Sequence, residues 1–178
     1  AVEVPDAPRY RVGMLTGCVQ DLVYPQVNRD TVDVLLVNHC EVRTPAAQHC
    51  CGSLHAHNGE PGLAREMARR NIEAMEQAAG NLGELDAIIS NAAGCGSTLK
   101  EYGELLEHDA VYSAKAHAFA SRVRDVNEFL ASIEWNRDLG PLPLTVTYQD
   151  SCHLAHGQKV RVAPSKLPGA SRPYAWYV

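Results

Sequence analysis

The stretch QHCCGSLHAH, Gln48 to His57, sets two cysteines side by side and crowds His49, His55 and His57 around them. Adjacent cysteines rarely bond to each other, because the linking peptide strains the preferred disulfide geometry. Cys50 and Cys51 therefore read as two thiolates aimed at one object. Three more cysteines stand beside turn residues: Cys18 in TGCVQ, Cys95 between Gly94 and Gly96 in AAGCGS, and Cys152 in SCHLAH. Thiolates from Cys18, Cys50, Cys51 and Cys95 can close the coordination of a structural zinc ion or of an iron–sulfur cluster. Zinc sites usually carry close CxxC pairs, and the chain has none. An adjacent pair suits a cluster better, since each thiolate can take a different iron. Gly52, Gly94 and Gly96 allow close backbone approach, so that N–H groups could point at cluster sulfides.

The elements between these residues decide whether they can meet. RVGMLTG, from Arg11, is a short apolar run ending in glycine and suits a buried strand. PQVNRDTVDVLLVNH mixes β-branched residues with a helical length and a leading Pro25, and is read as helix. CEVRTP is a second strand, closed by Pro45. Pro61 to Ala79 is a helix: Ala64, Met67, Ala68, Ile72, Met75 and Ala79 recur at helical spacing, and Gly80 ends it. LDAIIS is a third strand, and STLKEYGELLE a helix capped by Ser97. Helices are expected over Tyr112–Val123 and Asp125–Ile133, the second with Asp125 and Glu128 in capping-box spacing. LTVTYQ, from Leu144, reads as a fourth strand.

Strands alternating with helices predict an α/β fold, a mostly parallel sheet with flanking helices. Such sheets work at the carboxyl ends of their strands. Cys18, Cys50, Cys51, Cys95 and Cys152 each follow a strand and fall on that edge. Cys40 begins its strand, on the opposite edge, and reads as a small buried hydrophobe. His55 and His57 are expected in a polar loop, from which either could hydrogen-bond to the ligands. His153 and His156 share one turn with Cys152 and could hold a metal, although a buried or capping histidine is the plainer reading.

Composition narrows the classes. The chain has 178 residues, 46% apolar and 21% charged, which suits one globular unit. A net charge of −5 and the lack of a basic, aromatic-interleaved stripe argue against nucleic acid as a partner. VLLV is the longest aliphatic run, too short for a transmembrane segment. No secretory leader opens the chain, so grouped cysteines are expected to bind metal or react in a reducing cytoplasm rather than form disulfides. The first residue is Ala rather than Met, which suggests processing or a cut from something larger. GxSxG, HExxH and GxxxxGK[ST] are all missing, so no catalytic residue is assigned.

VGMLTGCVQ and VTYQDSCHLA both read as strand, turn, cysteine, which suggests a repeat restarting near Leu144. Only 26 residues follow Cys152, too few for a second unit, so the chain reads as cut short. Together, TGC at Thr16–Cys18, CCG at Cys50–Gly52 and NAAGCG at Asn91–Gly96 resemble the cysteine-rich, or CCG, domain. TGCVQ, NAAGCGSTLKEYGELL, RVRDVNEFL and DSCHLAHGQ are most similar to the iron–sulfur subunit of glycolate oxidase, and the likeness runs from Arg11 to Pro164.

The resemblance implies that Cys18, Cys50, Cys51 and Cys95 ligate the first repeat's cluster, and that Cys152 opens the second repeat. The family's fuller motif ends in CxxC, and Ala92 stands at the first of those positions. Four thiolates still suit an ordinary 4Fe-4S cluster. The implied layout is a linker over 1–10, a first CCG-type domain over 11–140, the start of a second over 141–163, and an irregular tail over 164–178 that should pack poorly. The implied function is electron transfer, from a flavin-containing subunit that oxidises a 2-hydroxy acid toward an acceptor such as quinone. The protein would be cytoplasmic, or peripheral at the inner membrane through its complex, and not catalytic alone. Two alternatives stand beside this: a zinc-stabilised or metal-free interaction domain, and a thiol-disulfide enzyme using the Cys50–Cys51 pair.

Overall fold

The structure is a computed structural model and describes residues 1–136 and 151–161. Five strands form one sheet in the order β1-β3-β2-β4-β5: β1 Val2–Glu3, β2 Tyr10–Met14, β3 Cys40–Arg43, β4 Ala87–Ser90 and β5 Val123–Asp125. All neighbours pair in parallel except the edge strand β1, which runs antiparallel to β3. The central strand β2 is in register with Val42 of β3 through Val12, and with Ile89 of β4 through Met14.

The side-chain alternation of the strands divides the core into two layers. Val12, Met14, Cys40, Val42, Ala87 and Ile89 face one side. There they meet Val32 and Leu35 of α2 (Pro25–Val37) and Phe129 of α8 (Val126–Ser132). Ile88 and Val123 face the other side, where Ala68, Ile72, Met75 and Ala79 of α4 (Pro61–Ala79) pack against them. Leu99 of α5 (Ala93–Lys100), Tyr102 of α6 (Tyr102–Leu105) and Phe119 of α7 (Ser113–Ala120) complete that layer. Helices on both faces of a parallel sheet confirm the α/β class. No helix among the described residues is long and apolar enough to cross a membrane.

α2 and α4 form where periodicity and proline-first starts place them. Several other elements depart from expectation. The helix expected over Tyr112–Val123 ends at Ala120, and Val123 joins the sheet as β5 opposite Ile88. Three residues are too few to show a strand period, so the pairing was not legible locally. Asp125 does cap the following helix: its side chain and that of Glu128 complete a capping box. Ser97 is not a cap but lies buried inside α5, which begins at Ala93. Two short helices, α1 Cys18–Val23 and α3 Ser53–His57, replace expected loops, so His55 and His57 are helical. The expected linker contributes β1 at Val2–Glu3. The strand expected over Leu144–Gln149 and the tail over 164–178 lie outside the described residues.

Candidate metal centre

The β-to-α turns after β2, β3 and β4 deliver thiols to the carboxyl edge of the sheet. β2 ends at Met14, and the turn through Gly17 places Cys18 at the first position of α1. β3 ends at Arg43, and the loop after it carries Cys50 and Cys51 to the start of α3. β4 ends at Ser90, and Cys95 lies in the first turn of α5. The four thiols form a continuous row: Cys18 contacts Cys50, Cys50 contacts Cys51, and Cys51 hydrogen-bonds Cys95. A Cβ placed on Gly17 would sit 3.9 Å from the Cys95 sulfur, so the row closes back on the first turn. An open cleft of about 570 Å³ beside it is lined by Thr16, Gly17, Cys18, Asp21, Gln48 and Cys50.

The charge state along the row follows from these contacts. Burial, then the Cys50 contact, raises the Cys18 thiol. Cys51 is raised by its hydrogen bond to Cys95 and then by burial. Cys95 is lowered, because it accepts that hydrogen bond, against the opposing effect of burial. The backbone N–H groups of Val19 and Ser53 donate to the sulfurs of Cys18 and Cys51 and favour their thiolate forms. Four thiolates this close repel one another, and a shared cationic centre relieves that repulsion. Among the described residues no group of three or more Cys, His, Asp or Glu side chains is arranged to hold a single metal ion. A row of ligands drawn from three loops fits a multi-iron cluster by its donor chemistry, each sulfur taking its own metal.

Side-chain amides hold the loops, two of them, on Asn28 and Asn71, buried. Asn28 on α2 donates to the Thr16 carbonyl at 3.1 Å and to Asp21 at 3.0 Å. Asn91, which follows β4, donates to Asn28 at 3.0 Å and to the Thr31 hydroxyl at 2.9 Å, and accepts from Gln20 at 2.8 Å. Gln48 accepts from the Thr16 amide at 2.8 Å, which joins the first turn to the doublet loop. Below the doublet, Asn71 on α4 accepts from the His49 amide at 2.7 Å and donates to the Cys50 carbonyl at 2.9 Å. Tyr102 donates to the Cys51 carbonyl at 2.9 Å. The sequence reading assigned no role to Asn28 or Asn71. The available signal was an amide on the apolar stripe of each helix, beside Thr31 and Val32 in one and Ala68 and Ile72 in the other.

The remaining expected site residues have different fates. Gly52 is left-handed, with φ at 83°, and a Cβ there would meet the Ala64 backbone at 3.1 Å. It turns the doublet into α3 against α4. Gly94 faces open space. At Gly96 a Cβ would lie 2.5 Å from the Gln158 amide, which instead reaches the Ala93 carbonyl at 2.9 Å. Gly96 thus makes room for a π-helical turn, His153–Gly157, that packs on α5. Cys152 caps that turn, is exposed, and does not join the row. His153 lies 6.2 Å from His57, ring to ring, and His156 pairs with Arg161. Cys40 is fully buried, with its sulfur 3.7 Å from the Asn38 carbonyl.

Residues 12–100, which include all four thiols of the row, match the family model of the cysteine-rich domain, CCG. The chain is 37% identical over 159 residues to the "Probable glycolate oxidase iron-sulfur subunit" of Bacillus subtilis, covering 88% of this chain and 35% of that protein. It is 33% identical to a subunit of the fumarate reductase (CoM/CoB) of Methanothermobacter marburgensis, over 90% of this chain and 29% of that protein. It is 30% identical to "Lactate utilization protein A" of a Geobacillus species, over 88% of this chain and 63% of that protein. The chain spans about a third of the first two relatives and less than two thirds of the third. No solved structure matches the chain. With half its length matched around the thiol row, the chain belongs to the cysteine-rich CCG domain family.

Proposed function

We propose that Cys18, Cys50, Cys51 and Cys95 hold a 4Fe-4S cluster and that the chain is an electron-transfer portion of a 2-hydroxy-acid oxidoreductase subunit. The observation that carries this reading is the continuous contact of four thiols, from three loops, at one edge of the sheet. The names of the relatives, an iron–sulfur subunit of glycolate oxidase and a lactate utilization protein among them, support the substrate class. A bound cluster accepts and releases one electron at a time. The chain's part is to ligate, orient and shelter it. Cys51 and Cys95 lie against the apolar layer of Ile72, Leu99 and Tyr102, which keeps water from that side. Cys18 is exposed and faces the open cleft, the side from which an electron can enter or leave.

In this reading a flavin-containing subunit oxidises the hydroxy acid and passes electrons here, and an acceptor such as quinone receives them, in the cytoplasm or at the inner face of a membrane through the complex. Zinc, weighed from the sequence, gains nothing from the comparisons. Reversible redox chemistry tests the proposal. The anaerobically reconstituted chain should lose its broad visible absorption on reduction with dithionite and regain it when a quinone analogue is added. Absorption that does not respond to reductant would sink the reading. So would a colourless protein whose doublet thiols are alkylated at once, which points to the thiol-disulfide alternative.

A further inference from the structure

The doublet loop rests on a polar pair that the ligation chemistry does not itself require. Asn71 and Tyr102 are both fully buried, in the layer formed by Ala68, Ile72, Met75 and Leu99. Burying an amide and a phenol in such a place is costly unless every polar atom finds a partner. Here they do so by gripping consecutive peptides. The Asn71 oxygen accepts from the His49 amide at 2.7 Å, and its nitrogen donates to the Cys50 carbonyl at 2.9 Å and to the Tyr102 hydroxyl at 3.1 Å. The hydroxyl then donates to the Cys51 carbonyl at 2.9 Å. The Tyr102 ring stacks on Phe119 at 5.4 Å with planes 28° apart, and the hydrogen bonds of its hydroxyl lie apart from that ring contact.

The direction of these bonds has an electrostatic consequence. In a trans peptide the N–H points opposite to the C=O, and no cis peptide occurs among the described residues. Turning the Cys50 and Cys51 carbonyls inward to Asn71 and Tyr102 therefore turns the N–H groups of Cys51 and Gly52 away from that pair. The negative ends of two peptide dipoles are held off the thiolates. The N–H ends are left on the side away from the core, and the next amide, Ser53, already donates to the Cys51 sulfur. We infer that Asn71 and Tyr102 are positioning residues that lock the Cys50–Cys51 doublet in its ligating conformation and set the dipoles around it. This rests on the cluster-holding role proposed above for the doublet.

The test uses the full chain with Tyr102→Phe, which keeps the ring and its stack on Phe119 but releases the Cys51 carbonyl. Asn71→Ser, which releases the Cys50 carbonyl, is the second variant should the first not fold. Phe119→Leu is the control, since it keeps an apolar side chain against the Tyr102 ring and leaves every hydrogen bond from Asn71 and Tyr102 to the doublet in place. After anaerobic reconstitution, Tyr102→Phe should surrender iron to a chelator about tenfold faster than the parent, the scale typical of lost support around a metal ligand. Its reduction potential should move to a more negative value, and Phe119→Leu should match the parent in both. In the cluster-free proteins, Cys51 should be alkylated severalfold faster in Tyr102→Phe than in Phe119→Leu.

Iron loss and potential equal to the parent, or equal to Phe119→Leu, would overturn the inference. If the parent takes up no iron at all, the cluster reading fails by itself. The alkylation comparison then decides the inference alone: faster modification of Cys51 upholds the lock, and equal rates end it.

Discussion

Cys40 and Cys51 flank the same strand, β3, and both are buried, yet they live in different chemistry. Cys40 opens the strand, sits in the layer with Val12, Leu35 and Phe129, and has its sulfur 3.7 Å from the Asn38 carbonyl. Burial, with a lesser push from Asp86, moves its pKa up to about 12. Cys51 follows the strand, contacts Cys50 and Cys95, receives an N–H from Ser53, and has its carbonyl held by Tyr102. Residue type and burial are shared. What differs is the end of the strand: Cys51 lies at the carboxyl edge, where open α/β sheets place their ligands and where the turns carrying Cys18 and Cys95 also arrive, and Cys40 lies at the amino edge.

Substitutions at the two ends should separate these roles, and the sharpest is at Cys51. Cys51→Ser should abolish cluster assembly, read as iron and sulfide bound after reconstitution, because it breaks the middle of the row. Next comes the support beneath it. Asn71→Leu leaves the His49 amide and the Cys50 carbonyl without their partner, and should cost about 3 kcal/mol in denaturant unfolding of the cluster-free protein. Gly52→Ala puts a Cβ against the Ala64 backbone at a left-handed φ of 83°, and should cost about 2 kcal/mol in the same measurement.

The smallest effect belongs to the other end of the strand. Cys40→Ala should cost about 1 kcal/mol at neutral pH and leave cluster content unchanged. Its pH dependence is more telling. With the folded pKa near 12 against an ordinary 9.0, the folded state keeps a proton that the unfolded chain gives up. The contribution is complete below about pH 9 and is lost as the pH rises toward about 12. Alkaline unfolding followed by circular dichroism should therefore be less steep over that window in Cys40→Ala than in the parent.

The contrast between the ends was largely legible in the sequence, because it depends only on where each cysteine falls relative to a strand. The apolar runs at Arg11, Cys40 and Leu85 are clear enough to sort Cys18, Cys50, Cys51 and Cys95 from Cys40. Less legible were features whose cause lies far along the chain. Val123 becomes a strand because Ile88 offers it an edge to pair with, and nothing in its neighbours announces that. Gly96, expected from the sequence beside a cofactor, also clears a path for Gln158, over sixty positions away. Asn71 and Tyr102 are separated by 31 residues and act as one device only once α4 and α6 are packed together. Local periodicity reports which face of a helix is buried, not which backbone groups wait there for a partner.

The most direct measurement is the iron and acid-labile sulfide content of the parent, Cys51→Ser and Cys40→Ala, reconstituted side by side without oxygen. Matched iron and sulfide in the parent and in Cys40→Ala, with neither in Cys51→Ser, is the predicted result. A cluster that survives Cys51→Ser, or a parent that binds zinc or nothing, would contradict the thiol row as its ligand set.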